Sequence, residues 1–451
     1  MLASDTHAPA DSLPRQDARH ALRASILRPA LLTIAAAIAL GLVGGLFRLS
    51  VQYGTAWFEG ICAQLRGMPP ASGFGLLFLL VSMSTLVAIF LVRRFAPSAA
   101  GSGIQRVEAI WRQELPPDGN PAFLPVKFVS GLLALSSGYA LGREGPIVQM
   151  GAYLGGQFSR FCRSAADRRL MIAGLSGAGL AVAFSAPLGG VLFTLEELTR
   201  SARTRLVMLS MLACAVAVPV AQLLVGTGEI FPVARIAQPG LPALLLIFLL
   251  GSLSGLLGVA YNAATLRCLD GFSRRRPLAV GWRALIASSL LSLLLWHMPH
   301  YAGSGEVLVM NLLDSEQLLG GLAALWLVRF ALGPLSYSLG MSGGLFAPML
   351  AVGAAQGLLF GLLVNRLWPQ AELNMALCAL SGMAALFSAC IRAPFTGIVL
   401  IIEMTGLGNQ AITLLIACIP ATVIPFLLGR RSIYDELRER LPGRQKLPEK
   451  S

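Results

Sequence analysis

Apolar positions along this chain fall into long runs separated by short polar segments, with no sustained two-residue alternation. The runs are Ala30–Phe47, Gly73–Val92, Leu206–Val225, Leu241–Ala264, Gly344–Leu363, Ala376–Ile402 and Ala411–Leu428. Each approaches the roughly 20 residues that carry a helix across a bilayer. The pattern predicts an all-α, polytopic membrane protein. Several apolar segments are interrupted by glycine and proline, at Gly101-Ser102-Gly103, Gly142 to Pro146 and Gly343 to Pro348. The middle break, Gly142-Arg143-Glu144-Gly145-Pro146, places a charged pair inside a stretch with no other charged side chain from Phe128 to Gly156. An ionisable residue at membrane depth is costly, so it marks a transport path, a proton relay or a tightly paired structural site. Proline suits the first turn of a helix and glycine permits the turn before it. Glu144 is therefore expected beside free backbone N–H groups, a setting that binds anions. A carboxylate there competes with any anion that would occupy the same place.

Composition strengthens this picture. Of 451 residues, 55% are hydrophobic and 13% charged, about half the charged fraction of a soluble protein. Mean hydropathy is +0.71. The net charge of +13 comes from arginines grouped in short segments between spans. The groups are Arg160, Arg163, Arg168 and Arg169; Arg200, Arg203 and Arg205; Arg274 to Arg276; and Arg430 and Arg431. That distribution follows the positive-inside rule and marks cytoplasmic loops, so no nucleic-acid partner is expected. The first 28 residues mix arginine with aspartate and read as a cytosolic tail instead of a signal peptide. Seven scattered cysteines include no Cys-x-x-Cys pair. His297-x-x-His300 has neither an acidic nor a thiol companion, so no metal site is expected.

Two stretches repeat. Ala186-Pro187-Leu188-Gly189-Gly190 through Glu196 aligns with Ala393-Pro394-Phe395-Thr396-Gly397 through Glu403, and Pro146 to Ala152 aligns with Pro348 to Ala354. The similar offsets, in the same order, indicate a duplication of the kind found in transporters. Paired broken helices in corresponding positions of the two halves point to a midplane site. Gly151-x-x-x-Gly155 and Gly251-x-x-x-Gly255 suit close helix packing.

Gly101-Ser102-Gly103-Ile104, Gly142-Arg143-Glu144-Gly145-Pro146 and Gly344-Leu345-Phe346-Ala347-Pro348 resemble the three signature segments of the CLC chloride channel and transporter family. Leu124 to Phe128, Ala186-Pro187 with Glu196-Glu197, Ile391 to Pro394, Glu403-Met404-Thr405 and Tyr434 extend the resemblance over residues 30 to 440. It implies two inverted repeats of tilted and broken helices, a homodimer in the lipid bilayer, and one anion pathway per subunit. Chloride and protons are the expected partners, and no cofactor is implied. Ser102 and Tyr434 would give hydroxyls to the anion, with backbone groups of Gly145, Ile147, Leu345 and Phe346 supplying further donors. Glu144 would be the outer gating and proton-carrying acid and Glu197 the inner one. Glu108 and Lys127 would form a buried supporting pair. Ser432-Ile433-Tyr434-Asp435 reads as a helix cap, with Tyr434, Leu437 and Leu441 on one face and Arg438 elsewhere. Two positions depart from the family pattern: Gln105 stands where proline is usual, and Gly406 where an acid is common.

The expected organisation is a cytosolic tail or helix over 1–29, a membrane transport domain over 30–430 with halves 30–235 and 236–430, and a cytosolic helix and tail over 431–451. No regulatory domain is expected, as in a short prokaryotic form of the bacterial inner membrane. The expected function is proton-coupled chloride exchange, not an enzymatic activity. The alternatives are a voltage- or pH-gated passive chloride channel of the same fold and, remotely, an intramembrane serine protease around Ser176.

Overall fold

Arg48 does not end the first helix, although it ends the first apolar run. Its guanidinium donates to the Val182 carbonyl (2.7 Å) and to Ser185 Oγ (2.8 Å), so the charge is bonded inside the protein and the helix continues. In the computed structural model, residues 15–272, 277–314 and 318–445 are described, with side chains over 27–271, 280–313 and 318–445. Arg274 to Arg276 and the two chain ends lie outside these residues.

The first half contains α1 (Arg15–Arg66), α2 (Pro70–Phe95), α3 (Ile104–Trp111), α4 (Phe123–Ser136), α5 (Glu144–Ser159), α6 (Ala165–Phe184), α7 (Pro187–Phe193) and α8 (Thr204–Val225). The second contains α9 (Leu241–Phe272), α10 (Pro277–His297), α11 (Glu306–Asp314), α12 (Leu319–Ser338), α13 (Phe346–Leu367), α14 (Met375–Ile391), α15 (Pro394–Thr405) and α16 (Ala411–Leu427), followed by α17 (Ile433–Glu439). Among the described residues, eight helices are long and apolar enough to cross a membrane. Two of them, Val280–His297 and Leu319–Ser338, are absent from the apolar runs read off the sequence. In α12 the interruption is Arg329, which is buried and donates to the carbonyls of Gly303 (2.6 Å) and Ser304 (2.9 Å). A bonded arginine is tolerated where a free one is not.

The run Ala376–Ile402 is not one helix but two. Arg392 takes φ +67°, and Pro394 opens α15 two residues later. Ser185 does the same at φ +52° before Pro187 and α7. The two halves thus use one turn at equivalent places, which fits the duplication.

Reciprocal contacts tie these halves together. Proline at the first helical position leaves the next two N–H groups of α7 and α15 without intrahelical partners. Glu403 accepts from Leu188 N (3.0 Å) and Gly189 N (2.7 Å) on α7. Glu196 accepts from Phe395 N (3.1 Å) and Thr396 N (2.7 Å) on α15. Each carboxylate caps the other half's helix, as a two-fold pseudosymmetry requires. Gly142 and Gly344 also exchange both backbone hydrogen bonds, at 2.9 and 2.7 Å. α5 and α13, one from each repeat, both start beside that meeting point. Replacing Glu403 with glutamine should weaken two charge-assisted bonds and lower stability by about 1–2 kcal/mol. Thermal unfolding in detergent measures this, and an unchanged transition would mean the cap contributes nothing.

The glycine motifs behave as packing devices. Gly155 lies against Ile172 of α6, where an added Cβ would sit 3.0 Å from its Cα. Gly255 packs on Pro420 and Ile424 of α16 in the same way.

Candidate functional site

Three broken segments meet inside the protein, where nonhelical backbone survives only if its polar groups find partners. Gly101 N donates to Met341 O (2.9 Å) and Gly343 N to Gly101 O (3.1 Å), beside the Gly142–Gly344 pair. These short bridges aim the starts of α5 and α13 at a common point.

Glu144 occupies that point. Its side chain is fully buried, and Oε1 accepts from the Phe346 amide at 2.8 Å, at the N-terminus of α13. Oε2 has no hydrogen-bond partner among the described residues. Gly142 and Gly344 allow this close approach, because a Cβ on either would strike the Glu144 carboxylate. Gly145 stands against Ser102 and Gly344, and its Cβ would lie 2.7 Å from Ser102 Oγ. Ser102 Oγ and Tyr434 Oη are both buried and face one another. Neither has a hydrogen-bond partner of good geometry among the described residues. The Tyr434 ring rests on Phe346 at 5.8 Å, and Phe346 packs edge-on against Phe193 and Phe387.

Ser102, Glu144, Gly145, Leu345, Phe346 and Tyr434 therefore come together. Ile147 does not join them as a free donor. Its amide bonds to the Arg143 carbonyl (3.2 Å), and its side chain packs toward Gly44 of α1. Ile147 is the fourth residue of α5, and its N–H already has a partner within the helix.

The expected Glu108–Lys127 pair does not form. Lys127, fully buried on α4, donates to the carbonyls of Ala99 (3.0 Å), Gly101 (2.7 Å) and Ser102 (3.5 Å). It fixes the loop that carries Ser102. Glu108 instead bonds Arg438 of α17 and approaches Arg112 at 3.2 Å. Arg438 is buried, contrary to its expected placement off the Tyr434 face, because four residues bring it back beneath Tyr434. Gln105 finds a specific role in place of the family's proline. Its Nε2 donates to Tyr337 Oη (3.3 Å), and that phenol lies against the Ser102 backbone. Tyr337 escaped the sequence reading because an isolated tyrosine late in an apolar helix carries no motif.

Glu196 and Glu197 share a π-helical turn, Thr194–Leu198, and as adjacent positions on a helical turn their carboxylates leave in different directions. Glu196 goes to α15. Glu197, also buried, accepts from Ser432 Oγ (3.1 Å) and lies 3.8 Å from Arg200 Nη2. Arg200 reaches on to Asp435 at 2.7 Å, and Asp435 also meets Arg438 at 3.2 Å. Burial works against the Asp435 carboxylate, but the Arg200 hydrogen bond and the surrounding arginines outweigh it and hold its pKa below the usual value. Arg143 points away from the central point, pairing with Glu306 (3.1 Å) and bonding the Ala183 carbonyl. Ser176 donates to the Ile172 carbonyl (2.6 Å) within its own helix, an arrangement that offers no activated nucleophile.

The result is a buried point surrounded by helix starts and hydroxyls, with the nearby cations committed to other partners. Such a site attracts a small anion through partial charges alone. The fold and site together define a polytopic protein of two inverted halves with an anion-attracting centre between them.

The comparisons identify the class. A family model described as "Voltage gated chloride channel" matches residues 84–425. The chain is 34% identical over 421 residues to the H(+)/Cl(-) exchange transporter ClcA of Vibrio parahaemolyticus, covering 90% of this chain and 88% of that protein. It is 35% identical over 431 residues to the ClcA of Vibrio cholerae, covering 92% and 90%. The crystal structure of a slow cyanobacterial Cl-/H+ antiporter superposes with a TM-score of 0.87 at 30% identity, covering 92% of this chain and 97% of that one. The chain belongs to the voltage gated chloride channel family and is a multi-pass membrane protein.

Proposed function

We propose that this protein exchanges chloride for protons across a bacterial inner membrane, as a homodimer with one pathway in each subunit. The observation that carries this reading is the Glu144 carboxylate seated on the α13 N-terminus, with the hydroxyls of Ser102 and Tyr434 beside it. Ionised, Glu144 is a tethered anion in a place built for one. Protonated, it loses its attraction for the helix start and gives way to chloride, held by Ser102, Tyr434 and the amides at the starts of α5 and α13. Partial charges suit turnover, since a full cation in contact would slow release. Glu197 is the inner proton acceptor, on the side marked cytoplasmic by Arg200, Arg203 and Arg205. The two acids give protons a route that diverges from the anion's. Lys127 and Glu108 support the pathway without touching the anion. The membrane domain spans 30–430 in two halves, and α17 belongs to the cytosolic C-terminal segment.

Paired chloride and proton flux from reconstituted vesicles tests the proposal. An outward chloride gradient should drive protons inward, against their own gradient if necessary. Chloride flux with no proton movement would make the protein a passive channel of the same fold.

A further inference from the structure

We infer that Ser432 is the positioning residue that links the proton state of Glu197 to the helix carrying Tyr434. This inference rests on the exchange reading above. Its basis is a shared hydroxyl. Ser432 Oγ donates to Glu197 Oε1 at 3.1 Å and accepts from the Asp435 amide at 3.2 Å, the N-cap bond of α17. Ser432 is fully buried, and so is Tyr434 two residues later, on the first turn of the helix that Ser432 caps. One oxygen atom therefore touches both the inner acid and the element that presents a phenol to the central site.

The chemistry of the hydroxyl makes the link directional. While Glu197 is ionised, it is only an acceptor, and Ser432 must give it the hydroxyl hydrogen. The lone pairs of Oγ then remain for the Asp435 N–H. When Glu197 takes a proton from the cytosolic side on Oε1, that oxygen becomes a donor. Ser432 Oγ must then accept from it, turn its own hydrogen elsewhere, and share its lone pairs between two donors. A charge-assisted bond becomes a neutral one, about half as strong. No other bond forms or breaks. The cap of α17 is altered at the moment Glu197 is protonated, and the Tyr434 phenol moves with it.

The groups around Glu197 make Ser432 the direct contact on α17. From α3, Glu108 faces it and Arg112 stands behind, paired to Glu108. From its own turn comes Arg200, at 3.8 Å. From α17 come Asp435, bonded to Arg200, Arg438, bonded to Glu108, and the Tyr434 phenol. Asp435 and Arg438 thus reach Glu197 through Arg200 and Glu108, whereas Ser432 touches it.

Glycine is nearly as good an N-cap as serine but has no hydroxyl, so Ser432→Gly separates the link from the cap. Wild type, Ser432→Gly and Ser432→Thr are compared in vesicles for the ratio of proton to chloride flux. Chloride affinity is measured by calorimetry at acidic and neutral pH. Losing a bond to an ionised group should lower the flux ratio of Ser432→Gly roughly tenfold. Chloride flux should persist, chloride affinity should lose the part of its pH dependence that comes from Glu197 while the part from Glu144 remains, and Ser432→Thr should restore both. In a Glu197→Gln background, Ser432→Gly should change neither further. A wild-type ratio in Ser432→Gly overturns the link, as does a fall that threonine fails to restore, which assigns the effect to packing. If the glycine variant does not fold, Ser432→Cys, close in size and a weak donor, serves in the same assays with the same two outcomes. Wild type moving no protons would sink the exchange reading itself. A coupled wild type with an unchanged Ser432→Gly would sink only the link.

Discussion

Replacing Glu144 with glutamine is expected to leave chloride moving while proton movement falls to the leak level. Glutamine keeps the size of the side chain and an oxygen for the Phe346 amide, now held at 2.8 Å by the carboxylate. It carries no charge at any pH, and a bond to a neutral acceptor is about half as strong as one to a carboxylate. Chloride then displaces the side chain from the α13 N-terminus without any proton being bound. Chloride flux should become independent of external pH, with no uphill proton movement under a chloride gradient. Glu197→Gln should differ in one respect. It too should stop proton exchange, but Glu144 remains titratable, so chloride flux should still respond to external pH. Flux measurements over a series of external pH values separate the two variants. Full proton coupling in Glu144→Gln would remove that residue from the pathway, and full coupling in Glu197→Gln would do the same for the inner acid.

Lys127→Met should be the most destabilising single change near the site. The ammonium is buried and bonds the carbonyls of Ala99, Gly101 and Ser102. Methionine fills the same space and donates nothing. Ala99 O keeps Ser342 Oγ (2.9 Å) and Gly101 O keeps Gly343 N (3.1 Å), so the Ser102 carbonyl is the one left without a donor, at a cost of about 1–3 kcal/mol, against a total margin of about 5–15. Because these carbonyls belong to the loop before α3, the first consequence is misplacement of Ser102. The expected result is poor recovery of dispersed protein, an unfolding transition lowered by several degrees, and weakened chloride binding in whatever folds. Lys127→Arg, which keeps donors but needs more room, should recover part of the loss. Wild-type stability and flux in Lys127→Met would show that the loop is held by other means.

Much of the site was legible because its chemistry depends on short runs of consecutive residues. Gly142 to Pro146 could hardly be anything but a helix start with an acid on it, and the structure sets Glu144 on a helix N-terminus. That the N-terminus belongs to α13 and not to α5 is a long-range fact, and no local pattern carries it. Ser102, Phe346 and Tyr434 lie far apart in the chain, so their meeting was an expectation from resemblance, and the structure shows the geometry. Partners of buried charges were the least legible. The resemblance implies a pair of Lys127 with Glu108, yet the lysine reaches three carbonyls and the acid goes to Arg438, 330 positions away. Backbone oxygens are present in every segment and leave no mark in a sequence.

The sequence by itself determined the class of the molecule. Runs of apolar residues admit only membrane helices at these lengths, clustered arginines orient the loops, and glycine–proline breaks say where helices restart. It also carried the duplication, since both halves repeat the same residues in order. Only the tertiary structure decided what the charged and polar side chains do. Glu196 and Glu197 are adjacent and chemically identical, and one caps α15 while the other meets Ser432 and Arg200. Adjacent positions on a helical turn point apart, and the packing of α15 on one side and α17 on the other separates their fates. Backbone propensity is a local property and can be read locally. The destination of a buried charge depends on which distant segment arrives with a donor, and that is settled only when the helices pack.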